Sequence, residues 1–511
     1  MILLIHKNEE VFEVVDLTTN TILVVSNQKP INALFEIAKK HTERILIWCH
    51  QSLKENLNIE GIKTTFTLKN MMLSYGKNQY FHEQIGYIED SPFLKVNKKV
   101  KYPTWLMSSQ IGTIYASELL KFESEINLKN SFDFVLNSIA KKGMPNGLLC
   151  YSEPKLLKND YSFQKENKAS IFQLFKFVKL HYKGVWSILL LLNFMVYEKR
   201  FSIISFIRSL FYKRKTTNLE FDFESLIPVV TNQKSSIDVI IPTIGRKDYL
   251  HDVLKDLSNQ TLLPEKVIVI EQNENLNSKS ELDFITSTKW PFKIFHKFIH
   301  QTGACNARNL ALKEVTSGYV FFADDDIRLN DDILKNTIYL MKQNRVKAVT
   351  LSCLKSDEKE VYNNVFQWQS FGSGCSFVEK SAIKNLEFNM AFEHGFGEDA
   401  DFGMQLRNKE IDVLYVPTIK LQHLKAPIGG FRMPYKHSWK KDIVQPKPSP
   451  TVMLNRINNT TKYQLLGYKT KLLIKFYKNQ QVKNPFTYLL KFKKQWQQSL
   501  CWANKLKEQF N

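Results

Sequence analysis

Ile237-Asp238-Val239-Ile240-Ile241-Pro242-Thr243-Ile244-Gly245-Arg246 is an apolar run of strand length, stopped by a loop that carries Pro, Gly and Arg. Tyr249, Leu250, Val253, Leu254 and Leu257 then recur at helical spacing, and Leu262-Leu263-Pro264 ends that helix. Lys266–Ile270 is a second strand. A strand, loop, helix and strand in this order read as the nucleotide-binding half of a doubly wound α/β sheet. In such sheets ligands lie beyond the carboxyl ends of the strands, so the residues there matter most.

Gly318–Ala323 is a third strand, rich in β-formers, and it runs directly into Asp324-Asp325-Asp326. Adjacent carboxylates at a buried strand end repel one another and raise their own pKa values unless a cation neutralises them. Oxygen ligands of this kind suit Mg²⁺ or Mn²⁺, which take one or two carboxylates and complete their shell with substrate phosphates. The plainer alternative is a solvated acidic turn that caps the helix near Asp331–Met341. Further on, Gly397-Glu398-Asp399-Ala400-Asp401-Phe402 sets three acids at the start of another helical pattern. N-capping explains one of them and not all three.

With the Gly303-Ala304-Cys305-Asn306-Ala307-Arg308-Asn309 loop between them, these stretches resemble an inverting, family 2 glycosyltransferase of the GT-A fold. The resemblance covers residues from about 236 to 430. It implies that Asp326 coordinates a divalent metal, Mn²⁺ or Mg²⁺, bridging the two phosphates of a nucleotide-sugar. Asp324 and Asp325 then fall on the donor side, Asp325 against the ribose or the metal's waters. Asp399 matches the general base that takes the proton of the acceptor hydroxyl, with Glu398 and Asp401 as rivals for that role. His423 is the candidate to complete the metal site; an ordinary loop histidine is the alternative.

Pro242, Thr243 and Arg246 would line the nucleotide pocket, with Gln272 and Asn273 at the base. Gln272 stands where relatives often carry an acid that reads uracil, although an amide also hydrogen-bonds a pyrimidine edge. Arg308 is a phosphate partner or a helix-surface salt bridge. Gly372-Ser373-Gly374-Cys375 falls where the family shapes the acceptor side, Gly374 and Cys375 in particular, and its glycines allow close backbone approach. The chain reads Leu421-Gln422-His423-Leu424-Lys425 after the base region, not Q-x-x-R-W. Transfer of one or a few sugars is therefore expected rather than processive synthesis.

Working outward, residues 1–160 alternate short β-rich runs (Thr21–Ser26, Ile45–His50) with helical patterns (Ile31–Lys40, Ser131–Lys141). Around Trp105–Gly112 they faintly resemble the same fold, without an acid cluster at a strand end. A non-catalytic α/β domain, a degenerate GT-A-like copy, is the expectation. Residues 161–232 read as a basic helical linker. In it Ile171, Leu174, Phe175, Val178 and Tyr182 mark one amphipathic face, and Phe201, Ile204, Ile207, Leu210 and Phe211 another. Each face either packs on its neighbours or lies on a membrane surface. Residues 233–430 form the catalytic domain and 431–511 a basic helical end, with Trp496, Trp502 and Phe486 as possible interfacial anchors.

The 511 residues carry 71 Lys+Arg against 50 Asp+Glu, a formal net charge of +21. Residues 161–220 hold +8 of it and 431–511 hold +15, which leaves the rest almost neutral. A hydrophobic content of 43% excludes a disordered chain. The six cysteines are scattered without C-x-x-C spacing, so neither zinc nor a disulfide framework is expected, and a reducing cytosol is the simplest setting. The N-terminus lacks the pattern of a signal peptide. The most apolar stretch, Val185–Val196, falls short of the roughly 20 residues that a transmembrane helix needs.

The expectation is thus a metal-dependent glycosyltransferase in the cytoplasm, peripheral at the inner face of the cell membrane. It would act on a glycan or lipid-linked acceptor in surface polysaccharide synthesis, with anionic lipid met through 161–220 and 431–511. A non-catalytic sugar-nucleotide-binding scaffold is the first alternative. A basic nucleic-acid-binding protein is the second, disfavoured because no nucleic-acid module accompanies the charge.

Overall fold

The computed structural model describes residues 1–7, 9–159, 167–227, 235–427 and 435–510. The expected domain boundaries at 160/161, 232/233 and 430/431 all fall outside the described residues. The chain divides into two compact units, Met1–Pro228 with Thr461–Lys475, and Val229–Thr460 with Phe476–Asn511.

The first unit is built on an eight-stranded sheet of β1 (Ile2–Lys7), β2 (Glu10–Asp16), β3 (Thr21–Ile22), β4 (Ile45–His50), β5 (Met71–Tyr75), β6 (Tyr102–Pro103), β7 (Ile111–Tyr115) and β8 (Leu149–Ser152). Its order is β3-β2-β1-β4-β7-β5-β8-β6. The helices are α1 (Pro30–Lys40), α2 (Ile59–Thr65), α3 (Ala116–Leu120), α4 (Phe132–Gly143), α5 (Ile171–His181), α6 (Val185–Glu198) and α7 (Ile203–Ser209). The strand expected over Thr21–Ser26 shrinks to two residues at the sheet edge, where few partners hold it.

The second unit has a nine-stranded sheet: β9 (Ile237–Thr243), β10 (Lys266–Gln272), β11 (Lys293–Ile299), β12 (Tyr319–Ala323), β13 (Ile327–Arg328), β14 (Ala348–Leu354), β15 (Phe366–Gln367), β16 (Cys375–Glu379) and β17 (Leu414–His423). Its helices are α8 (Lys247–Ser258), α9 (Phe284–Ser287), α10 (Ala304–Lys313), α11 (Ile333–Gln343), α12 (Glu398–Asn408) and α13 (Pro450–Asn459). Then come α14 (Lys462–Lys478), which lies in the first unit as far as Lys475, and α15 (Pro485–Phe510) in the second. The order β11-β10-β9-β12-β16-β14-β17-β13 is parallel from β11 to β12, and β16 runs antiparallel to both its neighbours. Buried Asp238 ties β9 to the turn before β12, accepting the N–H groups of Thr316 (2.7 Å) and Ser317 (2.9 Å) and the Ser317 hydroxyl.

One half of each sheet follows the same plan. In the first unit β1 is parallel to β4, β4 and β5 are antiparallel to β7, β5 is parallel to β8, and β6 is antiparallel to β8. β9, β12, β16, β14, β17 and β15 repeat those relations in the second. Helices α1, α2 and α4 precede β4, β5 and β8 as α10, α11 and α12 precede β12, β14 and β17. The ladders align Cys49 with Ala323 through their partners Ile111 and Cys375, so His50-Gln51-Ser52 stand where the second unit has Asp324-Asp325-Asp326. The antiparallel hairpin β2–β3 takes the place of the parallel strands β10 and β11. The first unit therefore repeats one half of the fold and lacks the other, together with the acid triplet.

The segment expected as a linker is not a separate element. Leu174, Phe175, Phe177 and Val178 of α5 and Leu189, Leu190 and Phe194 of α6 are buried in the core of the first unit. The helical end is likewise divided, because α14 buries Gln464, Gly467 and Thr470 in the first unit and α15 belongs to the second. Trp496 is no membrane anchor: it is buried with Phe492 and Ala503 on the face of α15 that packs against α13. Trp502 donates from Nε1 to Asp442, which leaves only Phe486 of the three exposed. No described helix is long and apolar enough to cross a membrane, and all six cysteines are free thiols.

Candidate active site

A cavity of about 540 Å³ opens in the second unit at the carboxyl ends of β9, β10 and β12. Apolar β9 delivers Pro242, Thr243 and Arg246 to one wall. The parallel strand β12 ends against them, so Asp324, Asp325 and Asp326 emerge beside that loop. Arg246 Nη1 lies 2.5 Å from Asp325 Oδ1 and 3.4 Å from Asp326 Oδ2, and Thr243 Oγ1 donates to Asp325 Oδ2 at 2.7 Å. Burial raises the Asp325 carboxyl to about 6 against the opposing pull of Arg246 and Thr243. For Asp326 burial is outweighed: His423, the Ala426 N–H and Arg246 hold it below the usual carboxylate range.

His423 ends β17 rather than sitting on a loop, and β17 pairs with β13 just beyond the acids. Its Nε2 is 3.5 Å from Asp326 Oδ1. Adjacent ligands on an octahedral cation with bonds near 2.1 Å stand about 3 Å apart, so this carboxylate and imidazole suit neighbouring positions on one ion. Among the described residues no three His, Cys, Asp or Glu side chains gather for a metal. The chain offers two ligands here, and the rest of a shell would have to come from phosphate oxygens and water.

The opposite wall is the start of α12. Glu398 lines the cavity; Asp399 does not, and it accepts the Ser373 hydroxyl and the Ser373 N–H at 3.3 Å. Burial and the neighbouring Asp399 charge push the Glu398 carboxyl up to about 7. Burial also raises Asp399, opposed by Arg308 and by Ser373. Ser373 donates to Asp399 and so favours its charged form. Asp401 is elsewhere: it accepts from Gln405 (3.0 Å) and Asn459 (3.0 Å), fastening α12 to α13, and does not line the cavity.

Arg308 is buried on α10, its Nη2 3.4 Å from Asp324 Oδ1, so it faces the acids and is not a helix-surface residue. Gly374 does not line the cavity but backs it; a Cβ there would stand 2.1 Å from the Asp324 carboxylate. The Cys375 thiol is hydrogen-bonded to Cys353 and lies outside the lining. Gln272 lines the cavity and accepts the Gly303 N–H at 2.6 Å. Asn273 does not; its side chain caps a turn at Asn275.

Several lining residues carried no signal in the sequence. Glu393 accepts the N–H groups of Cys305 (3.1 Å) and Asn306 (2.7 Å) at the start of α10. A Cβ on Gly303, at φ +139°, would collide with its carboxylate. His394 stacks on Tyr435 with centroids 3.9 Å apart, and both rings line the cavity beside Phe396 and His437. Tyr435 and His437 fall in a stretch that reads only as basic, so nothing in its pattern marks them.

Removing one donor tests the acid pair. In Ser373→Ala the Asp399 carboxylate loses the hydroxyl hydrogen bond that favours its charged form, so its pKa rises. The acid limb of the pH–rate profile is expected to move up by about one pH unit, with activity unchanged above the limb. An unshifted limb would show that Asp399 is not the group that titrates.

The sheet order, which reads 3-2-1-4-6-5-7 when the seven principal strands are counted along the chain, and the acids at its carboxyl edge define a GT-A-type unit. Residues 238–398 match the family described as Glycosyl transferase family 2. Over 192 residues it is 25% identical to the minor teichoic acid biosynthesis protein GgaB of Bacillus subtilis, covering 33% of this chain and 21% of that protein. It is 24% identical over 189 residues to the GalNAc(5)-diNAcBac-PP-undecaprenol beta-1,3-glucosyltransferase of Campylobacter jejuni, covering 33% and 59%. The chain thus spans less than two thirds of either relative. A crystal structure of S. aureus TarS 1-349 in complex with UDP-GlcNAc is 14% identical, covers 54% of this chain and 82% of that one, and has a TM-score of 0.37.

Proposed function

We propose that the chain transfers a sugar, with inversion, from a nucleotide-sugar to a hydroxyl of a glycan or lipid-linked acceptor in surface polysaccharide synthesis. The observation that carries this reading is one cavity with Asp326 and His423 on one wall and Glu398 on the other, with Asp399 next to Glu398 just outside the lining. The names of the two curated relatives, one in teichoic acid synthesis and one acting on an undecaprenol-linked glycan, support a surface-glycan or lipid-borne acceptor. UDP is the favoured nucleotide, with Gln272 on the base side.

In this reading Arg246 and Thr243 hold Asp325 in place. Asp326 and His423 would take a divalent ion, Mn²⁺ or Mg²⁺, which when bound offsets the charge that develops on the leaving diphosphate. Buried Arg308 adds fixed positive charge beside Asp324. Asp399, kept anionic by Ser373 and Arg308, accepts the proton of the acceptor hydroxyl as that oxygen attacks the anomeric carbon. Glu398, whose carboxyl burial and the Asp399 charge push up to about 7, stands beside it. The first unit, with His50-Gln51-Ser52 in place of the acid triplet, is a non-catalytic module. The site of action is the cytoplasmic side of the membrane.

The test is a panel of UDP-, GDP- and dTDP-sugars with Mn²⁺, read by thermal shift and by release of free nucleotide. A true donor at 100 times its dissociation constant stabilises the fold by about 2.7 kcal/mol. One sugar nucleotide should both raise Tm and be turned over. A rise in Tm without nucleotide release, even with cell-envelope extract as acceptor, would favour the non-catalytic scaffold.

A further inference from the structure

Two stretches of the first unit read alike in sequence, and their fates in the fold are opposite. The amphipathic face of α5 is covered: Leu174, Phe175 and Val178 are buried in the core. The corresponding face around α7 is not. Phe201 is 69% exposed, Ile204 76%, Ile207 50% and Phe211 87%. The helix is fastened from its other side, where Phe206 packs on the core and meets the Phe175 ring edge-on at 6.1 Å, and Ser209 is buried. The apolar side chains therefore point outward from a segment that is itself anchored.

The charge around this face has one sign. Residues 199–219 contain six cations, Lys199, Arg200, Arg208, Lys213, Arg214 and Lys215, and no acid. Arg208 is braced over the Phe172 ring, 4.2 Å from its centroid. We infer that residues 199–215 form a docking surface for an anionic phospholipid bilayer, in which α7 lies in the headgroup region with Phe201, Ile204, Ile207 and Phe211 among the acyl chains.

Physical chemistry selects this occupant. A two-fold contact between copies of the chain would bring the six cations of one copy towards those of the other, and like charges at short range repel. A nucleic acid would satisfy the cations and leave the aliphatic side chains in water. A bilayer with acidic headgroups takes both, the apolar groups below the headgroups and the cations among them. At seven residues α7 is about 10 Å long, so it lies in the interface and does not span. The surface does not depend on the transfer reaction, and its test needs no turnover.

The full-length chain is sedimented with vesicles of phosphatidylglycerol and phosphatidylcholine, and with phosphatidylcholine alone. Wild type should bind the acidic vesicles and not the neutral ones. Ile204→Glu/Ile207→Glu, both at exposed positions, should weaken binding at least tenfold, with an unchanged melting temperature as the check on folding. Lys213→Ala/Arg214→Ala/Lys215→Ala should weaken it about a hundredfold at low salt, at about fivefold per cation. Equal binding to both vesicles, or full binding by Ile204→Glu/Ile207→Glu, would overturn the inference. So would a dimer in solution that this double variant dissociates, because the face would then belong to a second copy.

Discussion

Asp399→Asn is expected to lower the rate of sugar transfer by about 10²–10⁴-fold while nucleotide-sugar binding stays within about twofold of wild type. Asparagine preserves the size of the side chain and its acceptor oxygen for the Ser373 N–H, so the loop before β16 keeps its anchor. What disappears is the charge that accepts the proton of the attacking hydroxyl. Glu398→Gln is the internal control. Glu398 lines the cavity and its carboxyl is pushed up to about 7, so near neutral pH it is about half protonated and glutamine mimics that protonated form. Its loss of activity should be smaller than that of Asp399→Asn by at least tenfold. The reverse ranking would make Glu398 the base. For wild type, activity should fall as the pH drops through the raised range of the pair, because the base works only when deprotonated.

Asp326→Asn should remove most of the Mn²⁺ dependence of donor binding. The neutral amide is a far weaker ligand for a hard cation, yet it still accepts the Ala426 N–H that Asp326 Oδ2 holds at 2.9 Å, so β13 and β17 should remain in register. A rise in Tm with nucleotide-sugar and Mn²⁺ in wild type should shrink to the level seen with nucleotide-sugar alone, and kcat/KM should drop by about 10²-fold or more. His423→Ala should act in the same direction. Equal stabilisation of wild type and Asp326→Asn by Mn²⁺ would place the ion elsewhere or dispense with it.

Much of the second unit was legible because each element announces itself locally. The apolar run at Ile237–Ile241, the helical spacing from Leu250 to Leu257 and the β-formers before Asp324 each report burial over a few residues, and burial is what those elements then show. The acids at strand and helix ends could be named for the same reason, since a cluster of like charges is conspicuous in any register. Asp401 could not be separated from Glu398 and Asp399, because all three share one helical turn. Only the direction in which the turn presents each side chain sends Asp401 to Asn459 and the other two towards Arg308. Glu393, His394 and Tyr435 were invisible because single polar or aromatic residues acquire a role only from neighbours distant in the chain.

By itself the sequence determined the α/β class, the strand ends at which chemistry is possible and the uneven distribution of +21 charges. Those are properties of composition and local periodicity, which reach across at most a few turns of chain. The tertiary structure alone decided that the first unit repeats half of the second, since strand order and sense are relations between residues far apart in sequence. It also decided the fate of two helices with the same amphipathic pattern. Periodicity states that a helix has an apolar face, and only packing states what covers it: the core for α5, and nothing among the described residues of its own unit for the outward side of α7.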